Sequence, residues 1–378
     1  MEKEQAFGQD GVPVRQPLYT FNDAWTEWLA GGKFPIAFFG DSTFDGANTT
    51  DWVRNVPGTD NVSRNAFPFV LERLLREAAG NSVLRIYNAG FSGQTAKWAE
   101  TMLEQVFGQT SPYADVKMIG IGFGINDRLG FENEKAYRHG FKRSIERIVH
   151  WCLSKGIQPF LLTTQAVVEP GVLTQYADTY PMRTSEHIES VANEAKRELA
   201  EQYGLALIDL NRFTESFMQH SSHSLQSIIS DKLHFGDVGH KAEAEFLFSR
   251  LCPRTIVADG YTKIDFSSQK VFDCVPEDWL TMPDRPADRF KVFVDRPKAN
   301  ADDGNLMSAY VFVRSEKELV LKAYRTGSDP AAYVKVNGDI RPLTGAETNL
   351  GPLDFGLYRL DVRTGESAAA DFKGFILE

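Results

Sequence analysis

From about residue 34 to 251, short apolar runs of strand length alternate with stretches of helical periodicity. Each run is bounded by Gly, Asn, Asp or Thr, as strands covered on both faces of a parallel sheet are. The alternation predicts a three-layer α/β/α sandwich around a parallel sheet, and in such open sheets functional sites lie outside the carboxyl ends of the strands. The runs are PIAFFG (35–40), SVLRIYN (82–88), VKMIGIGF (116–123), QPFLLTT (158–164) and LALID (205–209).

Helical periodicity fills the intervals between these runs. One predicted helix has a single apolar stripe that faces a core, and Gly156 follows its last turn as a C-cap glycine does. Two further helices are predicted from about Ser185 to Gly204 and from Asp237 to about Leu251. The stripe of the first helix consists of Phe141, Ile145, Ile148, Val149, Cys152 and Leu153.

The pattern changes after Cys252, where helical periodicity gives way to alternation with a period near two. Segments such as FKVFVD, SAYVFVRS, LVLKAYRT, AYVKVNGD and LYRLDVRT show this alternation, which is typical of strands with one buried face. VNGD indicates a hairpin, because Asn-Gly suits a tight two-residue turn. We therefore expect an N-terminal extension over 1–33, an α/β domain over 34–255 and an antiparallel β-sandwich domain over 260–378.

Charge and cysteine content exclude several classes of function. The chain of 378 residues has a formal net charge of -10, and no run of Lys or Arg offsets it. Nucleic acid is therefore not an expected partner, since phosphate backbones are bound by cations. Cys152, Cys252 and Cys274 show neither CxxC nor Cys/His ligand spacing. They predict buried thiols in a reducing compartment rather than a disulfide framework or a zinc site.

The sequence also predicts no association with a membrane. No segment approaches the roughly 18 apolar residues of a transmembrane helix. The first residues, MEKEQAFGQDG, lack the apolar stretch of a signal peptide. We expect a cytoplasmic protein, although a secreted protein whose leader had been removed would carry the same sequence.

Residues that could do chemistry follow three of the predicted strands. Gly40-Asp41-Ser42 suits a helix N-terminus capped by Asp41 or Ser42, or a nucleophilic Ser42 at the edge of the sheet. Gly93, in YNAGFSGQTAKW (87–98), suits a tight turn, or a backbone N–H that faces a developing oxyanion. Asn126, in GFGINDRLG (122–130), suits local turn chemistry or an amide donor to the same oxyanion.

Two Asp-x-x-His pairs lie close together in SDKLHFGDVGHKAEAE (230–245). A carboxylate on the imidazole Nδ1 fixes the tautomer and leaves Nε2 free to act as a base. Asp237 is well placed to cap the last helix, which would put His240 in its first turn. We therefore assign Asp231 and His234 to chemistry, and Asp237 and His240 to structure.

Taken in order, these elements resemble the blocks of the SGNH, or GDSL-type, hydrolase family. GDS, the glycine of FSGQ, GIND and DKLH match its four blocks over roughly residues 34–251, and Gly239-His240 matches a common extension of the last block. The resemblance implies a flavodoxin-like parallel sheet and a serine esterase that needs no metal or cofactor. The polar loop 43–61 and Phe235, where a proline is common, depart from the pattern. The loop makes the family a poor guide to the substrate.

The resemblance also implies a role for each matching residue. Ser42 attacks an acyl carbonyl, His234 accepts the proton and later returns it, and Asp231 orients His234. The backbone N–H groups of Ser42 and Gly93, with the side-chain amide of Asn126, receive the oxyanion.

The loops expected around the site combine polar and aromatic residues, which suits a sugar ring better than a long acyl chain. Ordinary loop packing explains the aromatic residues equally well. The candidate substrate contacts are Asp41, Trp52, Trp98 and Tyr176. Many members of the family with this kind of chain deacetylate polysaccharides and oligosaccharides, so we expect a carbohydrate acetylesterase that acts on substrates such as acetylated oligosaccharides.

Several alternatives to that expectation stay open. Within the family, they are a lipase, thioesterase or lysophospholipase and an O-acyltransferase. Outside enzymes, the chain could be a glycan-binding pseudoenzyme. The β domain suits sugar binding, shaping of the site or assembly of a homo-oligomer.

Overall fold

The structure is a computed structural model that describes ten stretches of the chain. Tyr176, one of the candidate substrate contacts, lies outside them. The described residues form two compact units. One comprises the residues up to 218 together with 223–244, and the other comprises 219–222 together with the residues from 245 onward. The described stretches are 17–168, 188–231, 233–251, 262–264, 270–273, 291–294, 307–313, 319–325, 331–363 and 372–377.

A five-stranded sheet forms the centre of the first unit. Its order is β2-β1-β3-β4-β5, and every pair of neighbours is parallel. This is the flavodoxin-like order, so the predicted fold of this part of the chain is confirmed. The strands are β1 (Ile36–Gly40), β2 (Ile86–Gly90), β3 (Met118–Ile121), β4 (Gln158–Leu162) and β5 (Leu207–Ile208).

Helices cover both faces of the sheet. On one face, apolar residues of three helices pack around Phe39 and Ile121, whereas on the other Phe38 meets Phe67 edge-on, with ring centroids 5.2 Å apart. A 3₁₀ helix spans Asp127–Gly130 and a π-helical segment spans Ile188–Asn193. The α-helices are α1 (Phe21–Leu29), α2 (Ser42–Asp45), α3 (Phe67–Ala79), α4 (Ala96–Phe107), α5 (Glu134–Ser154), α6 (Glu194–Tyr203), α7 (Leu210–His220), α8 (Leu225–Ile228) and α9 (Asp237–Leu251).

The predicted helices occur with adjusted boundaries. The apolar stripe from Phe141 to Cys152 is buried along α5, and Gly156 follows this helix with φ of 74°. The helix expected from about Ser185 is described from Ile188, and its first six residues are π-helical. None of the helices in the described stretches is long and apolar enough to cross a bilayer.

The second unit is a sandwich of two five-stranded sheets, ordered β13-β10-β15-β8-β6 and β12-β11-β14-β9-β7. Apolar residues of both sheets share one core, including Val311, Leu321 and Leu360. The strands are β6 (Thr262–Ile264), β7 (Lys270–Asp273), β8 (Lys291–Val294), β9 (Met307–Val313), β10 (Leu319–Arg325), β11 (Tyr333–Val336), β12 (Asp339–Pro342), β13 (Glu347–Leu353), β14 (Gly356–Arg363) and β15 (Phe372–Leu377).

One detail of this sandwich confirms an expectation from the sequence, and a second departs from it. The β11–β12 hairpin turns at Asn337 and Gly338, whose φ values of 49° and 94° fit the left-handed turn that Asn-Gly favours. The outermost strands β6 and β7 pair in parallel with β8 and β9, so the sheets are antiparallel except at these two pairings.

Candidate active site

Strand β1 brings Ser42 to the carboxyl edge of the sheet. All five residues of this strand are buried, and helix α2 begins two residues after its last one. Asp41 caps α2, because its carboxylate accepts a hydrogen bond from Thr43 N at 3.0 Å. Ser42 is the first residue of the helix, so its own backbone N–H has no acceptor within the helix. Asp41 is therefore the N-cap of α2, as one interpretation of GDS predicts. The hydroxyl of Ser42 is not used for capping this helix.

Helix α2 lies directly against the end of the neighbouring strand β2. A Cβ added to Gly90 would come within 2.1 Å of Asp45 N, a separation that real side chains do not tolerate. Only glycine permits this close approach of two backbones. The glycine thus sets the depth at which α2, and with it Ser42, sits on the sheet.

Ser42, His234 and Asp231 are joined by hydrogen bonds. Ser42 Oγ lies 2.8 Å from His234 Nε2, although the two residues are 192 positions apart in the chain. His234 Nδ1 lies 2.7 Å from Asp231 Oδ2. The Asp231 carboxylate also accepts from the backbone N–H groups of Leu233, at 2.9 Å, and His234, at 2.6 Å. These bonds fix the imidazole with Nε2 toward the hydroxyl.

The electrostatics of Asp231 suit a carboxylate that supports an imidazole. Partial burial by itself would raise its pKa, but the hydrogen bonds from the side chain and backbone N–H of His234 outweigh that effect and lower the pKa. Side-chain exposure is 20% for His234 and 42% for Asp231, whereas Ser42 is only 5% exposed. Asp231 therefore stays ionised where it contacts the ring.

Gly93 and Asn126 lie at the ends of β2 and β3, as predicted. Gln94 N donates to Phe91 O across a four-residue turn, and Gly93 occupies its third position with φ of 80°, which strongly favours glycine. Asn126 Nδ2 donates to Gln94 O at 3.0 Å. The amide of Asn126 thus holds the residue that follows Gly93, and the second N–H of this amide is a further donor.

Asp237 and His240 have structural positions. The helix α9 begins at Asp237 itself, and the carboxylate accepts from Thr50 N at 2.9 Å and Thr50 Oγ1 at 2.8 Å. The expectation that Asp237 caps this helix is therefore wrong, because the side chain bonds a distant loop instead. His240 is fully buried, and its Nδ1 accepts from Phe67 N at 3.3 Å.

The candidate substrate contacts divide into different environments. Asp41 is fully buried and bonded to Thr43, so its carboxylate has no surface to present to a substrate. Trp98 is partly buried and packs against the core, with its ring 5.2 Å from that of Phe91. Trp52 is 39% exposed, and its Nε1 donates to Asp45 Oδ2 at 3.1 Å.

The loop between α2 and α3, residues 46–66, is anchored beside Gly93 through Asp45. This carboxylate is fully buried. Its Oδ1 accepts from Asn55 N at 3.2 Å and from Asn61 Nδ2 at 2.8 Å, and its Oδ2 accepts from Trp52 and from the hydroxyl of Ser92. One carboxylate therefore ties the loop to the turn that contains Gly93.

The same loop is anchored on the other side of Ser42 as well. Asn48 Nδ2 donates to the carbonyl of His234 at 2.9 Å and lies 3.1 Å from Ser230 Oγ. Thr50 bonds Asp237, as described above. No motif in the sequence indicates a role for Asp45 or Asn48. The only feature of the sequence that could have drawn attention to them is their position. Both lie within six residues of Ser42, in a segment rich in Asn, Asp and Thr.

Buried ionisable groups also lie near Asp41. Burial raises the pKa of Asp127 to about 7, although its Oδ1 accepts from Ala96 N at 2.8 Å. Burial likewise lowers the pKa of Lys196 to about 7, against the attraction of Asp41 and Asp127. Lys196 Nζ donates to Thr164 Oγ1 at 3.0 Å. No motif in the sequence indicated this cluster.

Among the described residues, no group of three or more His, Cys, Asp or Glu is arranged to hold a metal ion.

Comparison with known proteins gives a family match and several structural likenesses. The model of the GDSL-like lipase/acylhydrolase family matches residues 38–242, more than half of the chain. No curated protein matches the sequence.

Three solved structures illustrate the structural likenesses. A two-domain esterase active on acetylated mannans is 15% identical, with a TM-score of 0.46, and the match covers 96% of this chain and 95% of that one. An acetylxylan esterase from Geobacillus stearothermophilus is 19% identical over 60% of this chain and 98% of that one, with a TM-score of 0.46. A lipase/acylhydrolase from Enterococcus faecalis is 20% identical over 58% and 95%, with a TM-score of 0.43.

Proposed function

The chain belongs to the GDSL-like lipase/acylhydrolase family and is a carboxylic ester hydrolase, and from this premise we propose a substrate class and a catalytic triad. The triad is Ser42, His234 and Asp231, and the substrates are short acyl esters of carbohydrates, principally acetyl esters. The observation that carries the triad is the pair of hydrogen bonds, 2.8 and 2.7 Å long, that runs from Ser42 Oγ through His234 to Asp231.

In the acylation step, Ser42 Oγ attacks the carbonyl carbon while His234 Nε2 takes the hydroxyl proton. The resulting tetrahedral intermediate collapses as the bond to the alcohol oxygen breaks, and His234 returns its proton to that oxygen. Water then repeats the sequence on the acyl-enzyme, with His234 again as base and then as acid. Asp231 stays ionised and stabilises the imidazolium in both steps.

The negative oxygen of the intermediate needs donors that are already in place. We assign this role to the backbone N–H groups of Ser42 and Gly93 and to the amide of Asn126. Support comes from the position of Ser42 at the start of α2, from the φ of 80° at Gly93 and from the bond between Asn126 and Gln94 O. Removal of one such donor typically costs about 10² to 10³ in kcat.

The carbohydrate part of the proposal is supported by Trp52. The residue is 39% exposed, yet its indole Nε1 donates to a buried carboxylate that also bonds Ser92. A flat aromatic ring that is tethered by a hydrogen bond and has polar neighbours suits the apolar face of a pyranose, since the tether reduces the side-chain entropy lost on binding.

Hydrolysis of acyl esters of increasing chain length tests the substrate class. We expect p-nitrophenyl acetate to be hydrolysed in preference to the butyrate and octanoate, and acetylated oligosaccharides to release acetate. Loss of acetate release from oligosaccharides in Trp52→Ala, with p-nitrophenyl acetate still hydrolysed, would support a sugar contact at this ring. A preference for octanoate would instead assign the site to lipids or thioesters. If a sugar hydroxyl, and not water, accepted the acetyl group, the site would belong to an acyltransferase.

A further inference from the structure

Arg54 lies at the middle of loop 46–66, and the backbone on both sides of it is fixed. Val53 N donates to Ser63 Oγ at 3.0 Å, and Asn55 N donates to the buried carboxylate of Asp45 at 3.2 Å. Asn55 itself is buried, whereas Arg54 is exposed. The loop thus presents the Arg54 side chain from a backbone that is held at both neighbouring residues.

The guanidinium of Arg54 rests against the turn that contains Gly93. Arg54 Nη2 donates to Ser92 O at 3.0 Å, and a Cβ placed on Gly93 would lie 3.6 Å from the same nitrogen. One N–H of the guanidinium is used in this contact, and the group has five. A positive charge is therefore held beside Gly93, the residue whose backbone N–H is assigned to the oxyanion.

The charge of Arg54 is not neutralised within the described stretches, where no Asp or Glu forms a salt bridge with it. By contrast, Arg76, Arg138, Arg147 and Arg197 each pair with a carboxylate. Arg73 Nη1 likewise donates to a backbone carbonyl, that of Arg64, at 3.0 Å, so Arg54 is distinguished by its position beside Gly93 rather than by the lack of a carboxylate partner. Guanidinium groups bind carboxylates through two parallel hydrogen bonds.

We propose that Arg54 is a substrate-binding residue that recognises a carboxylate on the alcohol portion of the ester, so that the preferred substrates are acetylated uronic acids. The inference rests on the proposed function, which supplies the ester and the reacting atoms. Trp52, two residues earlier in the same loop, offers an exposed ring for the sugar, and Arg54 adds the charge that distinguishes a uronate from the corresponding neutral sugar.

Matched pairs of acetylated methyl glycosides test this inference. The members of each pair differ only at C6, which is a carboxylate in one and a hydroxymethyl group in the other, and the gluco, galacto and manno series are all assayed. We expect kcat/KM in at least one series to favour the uronate by about tenfold or more, as a charge-assisted bidentate contact does. Arg54→Gln should reduce that ratio to about one.

Arg64→Gln is the matched control, because Arg64 is another exposed arginine of loop 46–66 that lies over the ring of Phe69 at 4.5 Å. It should keep the wild-type ratio. The same ratio in wild type and Arg54→Gln for all three series would overturn the inference. So would an equal loss on both members of each pair, since the arginine would then support the turn and not the substrate.

Failure of the proposed function is recognised separately. Binding of the unacetylated methyl uronosides to Ser42→Ala, measured by calorimetry, needs no catalysis. If hydrolysis proved independent of Ser42, binding that disappears in the Ser42→Ala/Arg54→Gln double variant would still support the carboxylate site. Binding that is unchanged in the double variant, or is absent in both, would contradict it.

Discussion

The side-chain amide of Asn48 donates to the backbone carbonyl of His234, with 2.9 Å between nitrogen and oxygen. Asn48 lies six residues after Ser42, so the segment that follows the proposed nucleophile also holds the segment that carries the proposed base. The backbone of Asn48 has φ of 79°, a conformation that Asn adopts more readily than most residues. This relationship connects the two halves of the candidate site.

Replacement of Asn48 by Gly should lower kcat by up to about tenfold. Gly tolerates the positive φ, so the change removes the amide without adding strain, and one hydrogen bond is worth about 0.5–1.5 kcal/mol. The measurement is kcat and KM for an acetyl ester. Asn337→Gly is the control, because Asn337 also has a positive φ, of 49°, and lies in the hairpin of the second unit. Equal kcat in Asn48→Gly and wild type would show that the contact does not position His234.

Asp231→Asn should reduce kcat by about 10⁴-fold, since an amide both favours the wrong imidazole tautomer and cannot stabilise the imidazolium. Asp237→Asn should keep kcat within about threefold, because an Asn oxygen can still accept from Thr50. Steady-state kinetics of both variants decide between the two Asp-x-x-His pairs. A large loss in Asp237→Asn with little change in Asp231→Asn would reverse the assignment.

Asn126→Ala should lower kcat by about 10² to 10³ with little change in KM, because the lost donor acts mainly on the tetrahedral intermediate. Asn133→Ala is a suitable comparison, since Asn133 caps α5 by accepting from Ala136 N at 2.9 Å. It should cost about 1 kcal/mol of stability and leave kcat unchanged. If Asn126→Ala stayed within threefold of wild type, the amide would not belong to the oxyanion site.

Stability should fall in acid partly through His240. Burial lowers the pKa of this residue to about 3, so below pH 6.5 the unfolded chain binds a proton that the folded chain does not. The free energy of unfolding should therefore fall by about 2 kcal/mol between pH 6.5 and pH 5 from this group alone. His240→Asn, whose oxygen can still accept from Phe67 N, should lack this component. Parallel pH profiles of urea unfolding for the two proteins would contradict the expectation.

The sequence predicts the sheet and the strand-end residues well, because both follow from local patterns. Buried apolar runs mark strands, and a parallel sheet brings their carboxyl ends to one edge, where Ser42, Gly93 and Asn126 occur. The family resemblance supplies the pairing of Ser42 with His234, which no local pattern contains. The apolar run at 205–209 yields only the two residues of β5, since run length does not determine how far neighbouring strands pair.

The polar contacts around the site could not be predicted. A loop rich in Asn, Asp and Thr has many possible partners, and only the folded chain selects Ser92 for Asp45 or His234 O for Asn48. Burial of Asp41 and Lys196 is equally invisible, because charged residues are expected at the surface. Period-two alternation indicates that a segment is a strand but does not show which strand it pairs with. The parallel pairings of β6 with β8 and of β7 with β9 were therefore not predicted.

Ser42 is tested most directly as the nucleophile by labelling with a serine-reactive organophosphate, combined with hydrolysis of an acetyl ester by wild type and Ser42→Ala. We expect one phosphoryl adduct, located on Ser42 by peptide mass spectrometry, with loss of hydrolysis in proportion to labelling. We also expect kcat to fall by about 10⁶-fold in Ser42→Ala. Hydrolysis that survives in Ser42→Ala, or inactivation by a label on another residue, would contradict the assignment of Ser42 as the nucleophile.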